Sequence, residues 1–166
     1  AIDEVYLALG TTIKQAGSQA AFRAVDLQAN LSVARAGVAA GARRVGLVSA
    51  VGADARSPVF YNRVKGELEQ ALETLDLLAL VIARPSLLVG NRSRLGQPFR
   101  FAERVAEPLM RLVSPVLPPH LRPVRAIHVA RALTIVTPQA HGKQLLDSST
   151  LTRLGSTGAN AELLRA

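Results

Sequence analysis

The stretch Val45–Ala83, VGLVSAVGADARSPVFYNRVKGELEQALETLDLLALVIA, decides how the rest of the chain is read. It opens on the apolar run Val45-Gly46-Leu47-Val48, which ends at Ser49, and closes on a second run, Leu80-Val81-Ile82-Ala83. Short continuous apolar runs are what a strand covered on both faces requires. Between them Phe60, Val64, Leu68, Leu72 and Leu75 mark one helical face, and Ser57-Pro58 predicts an N-cap followed by proline at the first helical position. Strand, helix and strand at these lengths imply right-handed crossovers and a parallel α/β sheet.

The flanks extend the pattern. Val5-Tyr6-Leu7-Ala8-Leu9 predicts an earlier strand closed by the turn Gly10-Thr11-Thr12, and an Ala-rich segment from about Gln19 to Ala40 predicts a helix with Gly41 at its C-terminus. After the third strand, Arg84-Pro85-Ser86 makes a rigid turn. Phe101 to Val113 reads as a helix kinked at Pro108, and the proline-dense Ser114 to Pro123 as a lid-like or substrate-side loop. A strand at Val124 to Ile127, a helix from about His128 to Val136, a strand near Gln144 to Leu146 and a short terminal helix complete the pass. With no repeats and no low-complexity linker, residues 1–166 read as a single domain whose substrate-side elements lie in about 92–166.

Composition narrows the function classes. The chain has 166 residues, 49% hydrophobic and 19% charged, enough for a core of its own. The absence of cysteine excludes disulfides, thiolate nucleophiles and cysteine-ligated zinc. His120, His128 and His141 lack metal-ligand spacing, so no metal is expected. No apolar run reaches the roughly 18–20 residues of a membrane span, which predicts a soluble protein, and a cytoplasmic localisation is expected. The start, Ala1-Ile2-Asp3-Glu4, has neither an initiator Met nor a signal-peptide layout and reads as a cut in mid-domain.

The net charge of +8 lies wholly in the second half: residues 1–83 carry 8 basic and 8 acidic side chains, residues 84–166 carry 12 and 4. Such a surplus, with Arg92, Arg94 and Arg100 among its members, can steer phosphate-bearing ligands, nucleic acid or anionic lipid. Few aromatics and no nucleic-acid motif favour a solvated arginine-rich surface, so neither nucleic acid nor membrane is the expected partner.

In an open parallel sheet, ligands sit beyond the carboxyl ends of the strands. That rim would gather Gly10-Thr11-Thr12, Ser49 and Arg84-Pro85-Ser86. On the helix after Ser49, Tyr61 and Lys65 stand at i, i+4, bordering the apolar stripe without lying in it. A phenol titrates near about 10, and a nearby ammonium favours its ionised form, which suits a proton donor and acceptor. Plainer readings stand beside these: Tyr61 and Lys65 as surface neighbours, Ser49 as a turn hydroxyl, Gly10-Thr11-Thr12 as turn chemistry alone, and His128 as a capping or packing residue.

Ser49, Tyr61-Asn62-Arg63-Val64-Lys65-Gly66-Glu67 and Ala83-Arg84-Pro85-Ser86 together resemble the short-chain dehydrogenase/reductase superfamily. Leu9-Gly10-Thr11-Thr12, Phe22-Arg23-Ala24-Val25-Asp26 and Ser49-Ala50-Val51-Gly52-Ala53-Asp54 resemble, more narrowly, its atypical branch around the Tat-interacting, NADPH-binding protein and its bacterial relatives. The resemblance runs from the first residue to about Gly155. It implies a Rossmann-type doubly wound parallel sheet, a nicotinamide cofactor, NADP(H) in preference to NAD(H), and a small carbonyl or alcohol substrate. Tyr61 would act as general acid/base. Lys65 would hold the nicotinamide ribose and lower the Tyr61 pKa, and Ser49 would position the substrate carbonyl. Gly10, Thr11 and Thr12 would flank the cofactor, and Pro85-Ser86 would back the nicotinamide. A protein partner and a homodimer are compatible with this reading.

Two departures from the family are visible. No strand with a Gly-rich pyrophosphate turn precedes Val5, so the chain resembles the family from its fourth strand onward. Gly155-Ser156-Thr157-Gly158 imitates that turn, but Asp147 to Leu154 is too polar for the buried strand a circular permutation would need. Second, Asp26 stands where many members carry an Asn that organises a proton-relay water. The expected function is therefore an NAD(P)-dependent oxidoreductase, with a cofactor-binding regulatory or sensor module of little turnover as its rival.

Overall fold

A computed structural model describes residues 2–89, 118 and 121–156. The helix expected over Phe101 to Val113, and all of Ser114 to Pro123 except Pro118 and 121–123, lie outside the described residues. Arg92, Arg94 and Arg100 do too.

The strands are β1 (Glu4–Leu7), β2 (Arg44–Val48), β3 (Ala79–Arg84), a short pair β4 (Leu88–Val89) and β5 (Val124–Arg125), and β6 (Gly142–Asp147). One parallel sheet takes the order β1-β2-β3-β6, and β4 pairs with β5 beside it. Val45 lies opposite Val5 and Leu80, and Arg84 opposite Asp147, so every strand in the sheet ends on the same rim. β1 stops at Leu7, two residues short of the expected end; Leu9 is already 47% exposed, in the turn. β5 likewise yields to helix at Ala126 rather than running to Ile127.

The helices are α1 (Ile13–Ala16), α2 (Gln19–Arg23), α3 (Asn30–Ala39), α4 (Phe60–Glu73), α5 (Ala126–Val136) and α6 (Ser148–Ser156). The expected helix from Gln19 to Ala40 is present in span, but a π-helical stretch, Ala24–Ala29, interrupts its register. Gly41, at φ +106°, turns the chain after it, in a conformation that a side chain disfavours. α4 begins at Phe60, later than Ser57-Pro58 predicts. The Ser57 hydroxyl instead accepts the Val59 amide at 3.2 Å, a local turn that postpones the helix.

Alternation along β3 fixes the layers. Leu80 and Ile82 join Leu7, Val45 and Leu47 under Ala34 of α3 and Leu68 and Leu72 of α4. Ala79, Val81 and Ala83 face the other way, against Val129, Ala132 and Leu133 of α5 and Leu151 of α6. Burying each such Leu or Val contributes about 1.5–3 kcal/mol. With helices on both faces, this is a doubly wound parallel α/β sheet of Rossmann type. Among the described residues, α3 and α4 cover one face of the sheet and α5 and α6 the other.

Candidate active site

The first cluster is built around Lys65, on the second turn of α4. Its row of the helix lies closer to the core than its polarity predicts: the side chain is 6% exposed, so Lys65 is buried rather than bordering the stripe. Its Nζ lies 2.7 Å from Asp26 Oδ1, and the Asp26 side chain is 1% exposed. The second carboxylate oxygen of Asp26 accepts the Thr11 backbone amide at 2.8 Å. The Gly10–Thr12 turn and Lys65 are thereby joined through Asp26 of the π-helical stretch, a kind of local geometry that recurs at functional sites. Asn30, one turn on and buried, donates Nδ2 to the carbonyls of Leu9, Val25 and Asp26; its Oδ1 meets no donor among the described residues.

Tyr61 stands one turn before Lys65, half-exposed, with its ring 5.9 Å from Lys65 Nζ and 5.9 Å from the buried Phe22 ring. Burial, and then the Asp26 carboxylate, push the Tyr61 phenol above its ordinary value. The Asp26 carboxylate that adds to this rise is the one paired with the Lys65 ammonium. Gly10 lies beside the pair: a Cβ there would stand in ordinary contact, 3.5 Å from Asp26 Oδ1 and 3.9 Å from Lys65 Nζ. Thr12 serves as the N-cap of α1, accepting the Gln15 amide.

The second cluster lies one turn further along α4. Glu69, 3% exposed at its side chain, accepts the Ser49 hydroxyl at 2.5 Å and two bonds from Arg84, at 3.1 and 2.5 Å. This bidentate pair raises the Arg84 guanidinium further, chiefly through the bonds to Glu69. Ser49 is thus on the rim as expected, but its hydroxyl is directed to Glu69 and not to Tyr61. The Pro85 carbonyl accepts the Val51 amide, while Ser86 takes its amide to Ser148 Oγ and its hydroxyl to the Arg122 carbonyl. A groove of about 370 Å³ opens beside this cluster, between Asp54, Glu69, Glu73, Arg84 and Lys143.

The structure therefore brings together Gly10, Thr11, Tyr61 and Lys65, and sets Ser49, Pro85 and Ser86 in a separate bonded rim. Sequence reasoning missed Glu69 and the role of Asp26. The available signal was arithmetic: residues 61, 65 and 69 form one i, i+4 row flanking a buried stripe, so charges on it need partners.

A rim of strand ends with a Tyr-Lys pair on the following helix, on a Rossmann-type sheet, is the class this geometry defines. No family model matches the chain. It is 42% identical over 86 residues to "Protein FMP52, mitochondrial" of Lodderomyces elongisporus, covering 52% of this chain and 36% of that protein. It is 43% identical over 90 residues to the protein of the same name from Candida albicans, covering 54% and 39%. The chain spans well under half the length of these curated relatives. Their shared name states no function, and it stands in place of the Tat-interacting branch expected above. It also overturns the cytoplasmic expectation, since these relatives are named mitochondrial. Among solved structures, the Bordetella bronchiseptica enzyme WbmG in complex with NAD aligns at a TM-score of 0.44 and 16% identity, covering 96% of this chain and 67% of that one. Among the described residues no helix is long and apolar enough to cross a membrane.

Proposed function

We propose that this chain forms the proton-handling side of an NAD(P)-dependent oxidoreductase of the atypical short-chain dehydrogenase/reductase type, taking a small carbonyl or alcohol substrate. One observation supports it above the others: Tyr61 and Lys65 share a helical face at the carboxyl rim of a parallel sheet, with the Gly10–Thr11 turn tied to Lys65 through Asp26. The donor chemistry fits a nicotinamide nucleotide. Lys65 has three hydrogens and is ion-paired to Asp26 at 2.7 Å, which leaves donors for ribose hydroxyls on the side of Gly10. When bound, the nicotinamide would supply or accept hydride.

Tyr61, protonated near neutrality as an ordinary phenol is, gives its phenol proton to the substrate oxygen in the reducing direction and recovers it in the oxidising one. Lys65 orients the ribose and fixes the phenol's electrostatic surroundings. The preference for NADP(H) over NAD(H) belongs to the same proposal. Measuring NADPH and NADH binding together with turnover on a panel of carbonyls and alcohols tests it. Cofactor-dependent turnover lost in Tyr61→Phe is the expected result, and the absence of any nicotinamide binding overturns it. A second reading, a cofactor-binding regulatory module, draws support from Ser49, whose hydroxyl is committed to Glu69; binding without turnover would select it.

A further inference from the structure

We propose that Asp26 is a positioning residue that couples the Gly10–Thr12 turn to the Tyr61–Lys65 pair, one carboxylate oxygen holding the Lys65 ammonium and the other the Thr11 amide. The inference rests on the proposed function for what the coupled groups do, but its geometry stands alone. A buried ion pair is weak evidence for stability, because a well-packed apolar pair often does as well. Asp26 does more than neutralise Lys65. Its Oδ2 reaches a different element, the turn after β1, and its charge acts on Tyr61.

Three helical segments pack around the π-helical stretch that carries Asp26. α4 brings Lys65 and Tyr61 toward the carboxylate. Arg23 of α2 is held by Glu67 at 2.7 Å, and α3 brings the neutral Asn30. Tyr61 therefore feels burial first and then the buried anion Asp26, whose partner is the buried Lys65. Anything that draws Lys65 toward a ligand loosens its hold on Asp26, and the turn bonded to the other oxygen responds. A ligand seated against the turn is reported to the phenol by the same route.

The test uses the full chain with Tyr6→Phe, which leaves Tyr61 as its one tyrosine. Phenolate absorbance gives the Tyr61 titration, and hydrogen exchange followed by NMR gives the protection of the Thr11 amide. Asp26→Asn is expected to move the Tyr61 midpoint to lower pH and to speed Thr11 exchange about tenfold or more, the loss of one charge-assisted bond. Superimposed titrations and unchanged exchange in a folded variant overturn the proposal. If Asp26→Asn does not fold, the double variant Asp26→Leu/Lys65→Met leaves no charge unpaired, and faster Thr11 exchange supports the proposal while unchanged exchange overturns it. Neither readout needs cofactor or turnover. A protein without activity would count against the proposed function and leave the coupling intact, whereas an active protein with an unmoved Tyr61 titration would do the reverse.

Discussion

Lys65 and Glu69 sit one turn apart on α4, both buried, both ion-paired, and they do different work. The Lys65–Asp26 pair is dry on both sides, at 6% and 1% exposure, and reaches the turn after β1. The Glu69–Arg84 pair is dry on one side only, since Arg84 is 30% exposed, and it ties together the ends of β2 and β3. Water can partly replace a partner lost from the second cluster and has far less access to the first. The same helix thus carries a tuned pair and a structural clamp, distinguished by what reaches them from outside the helix.

The largest effect should come from stranding a charge in the dry cluster. Lys65→Met leaves the Asp26 carboxylate buried without its cation and should cost about 3–5 kcal/mol in urea unfolding. Glu69→Gln should cost about 1–3 kcal/mol, because Arg84 can turn toward water. Equal losses would erase the distinction drawn between the two pairs.

Activity should separate the clusters as sharply. In the active protein, Tyr61→Phe should lower kcat by at least roughly 10²-fold with little change in stability, as loss of a positioned acid/base does. Ser49→Ala should leave kcat within a few fold and instead remove about 1–2 kcal/mol of stability, because its hydroxyl serves Glu69. A large kcat loss in Ser49→Ala would show that this hydroxyl turns toward substrate during the reaction.

Gly66, between the two paired residues, offers a perturbation of both. A Cβ there would lie 2.2 Å from the Ala55 backbone nitrogen and 2.3 Å from the Asp54 carbonyl carbon, so the loop must move away from α4. Gly66→Ala should cost about 1–3 kcal/mol by thermal unfolding, as overpacking typically does. Unchanged stability would mean that the loop is not seated on the helix.

The smallest effect is alkaline. Burial, aided by Glu4, pushes the exposed Tyr6 phenol up to about 12, and Tyr61 is raised as well. A raised folded pKa means that the native state holds the proton more tightly, so this contribution is complete below about pH 10, the unfolded value, and is lost as pH rises toward the folded values. Unfolding curves between pH 9 and 12, on the order of that window, should show the decline, and Tyr61→Phe should reduce it.

Strands β2 and β3 and the stripe of α4 were legible because burial on both faces, or along one stripe, leaves a local apolar pattern: Val45 to Val48, Leu80 to Ala83, and Val64, Leu68 and Leu72. Tyr61 and Lys65 were legible as a pair because helical spacing is local too. The Asp26–Lys65 contact joins residues far apart along the chain, and nothing in the neighbourhood of Asp26 announces it. Nor does local pattern show which way Ser49 turns: the i, i+4 row marks Glu69 as a charge in need of partners but does not say that Ser49 and Arg84 supply them. The start of α4 was misplaced for a related reason: Ser57 bonds its own local turn in place of the helix.

The π-helical stretch Ala24–Ala29 makes the chain's length a variable at this point. An unbroken α-helix turns by about 100° per residue, so removing one residue from its interior rotates everything beyond it off its face. A π-bulge already holds one residue in excess, and deleting one there lets the helix close into a regular ladder with Phe22 and Ala34 still toward their cores. The fold can spare a residue between α2 and α3 while the site cannot, because the residue displaced by that closure is Asp26 or its neighbour. A chain shortened by one residue here would keep its architecture and lose the carboxylate's reach to Lys65.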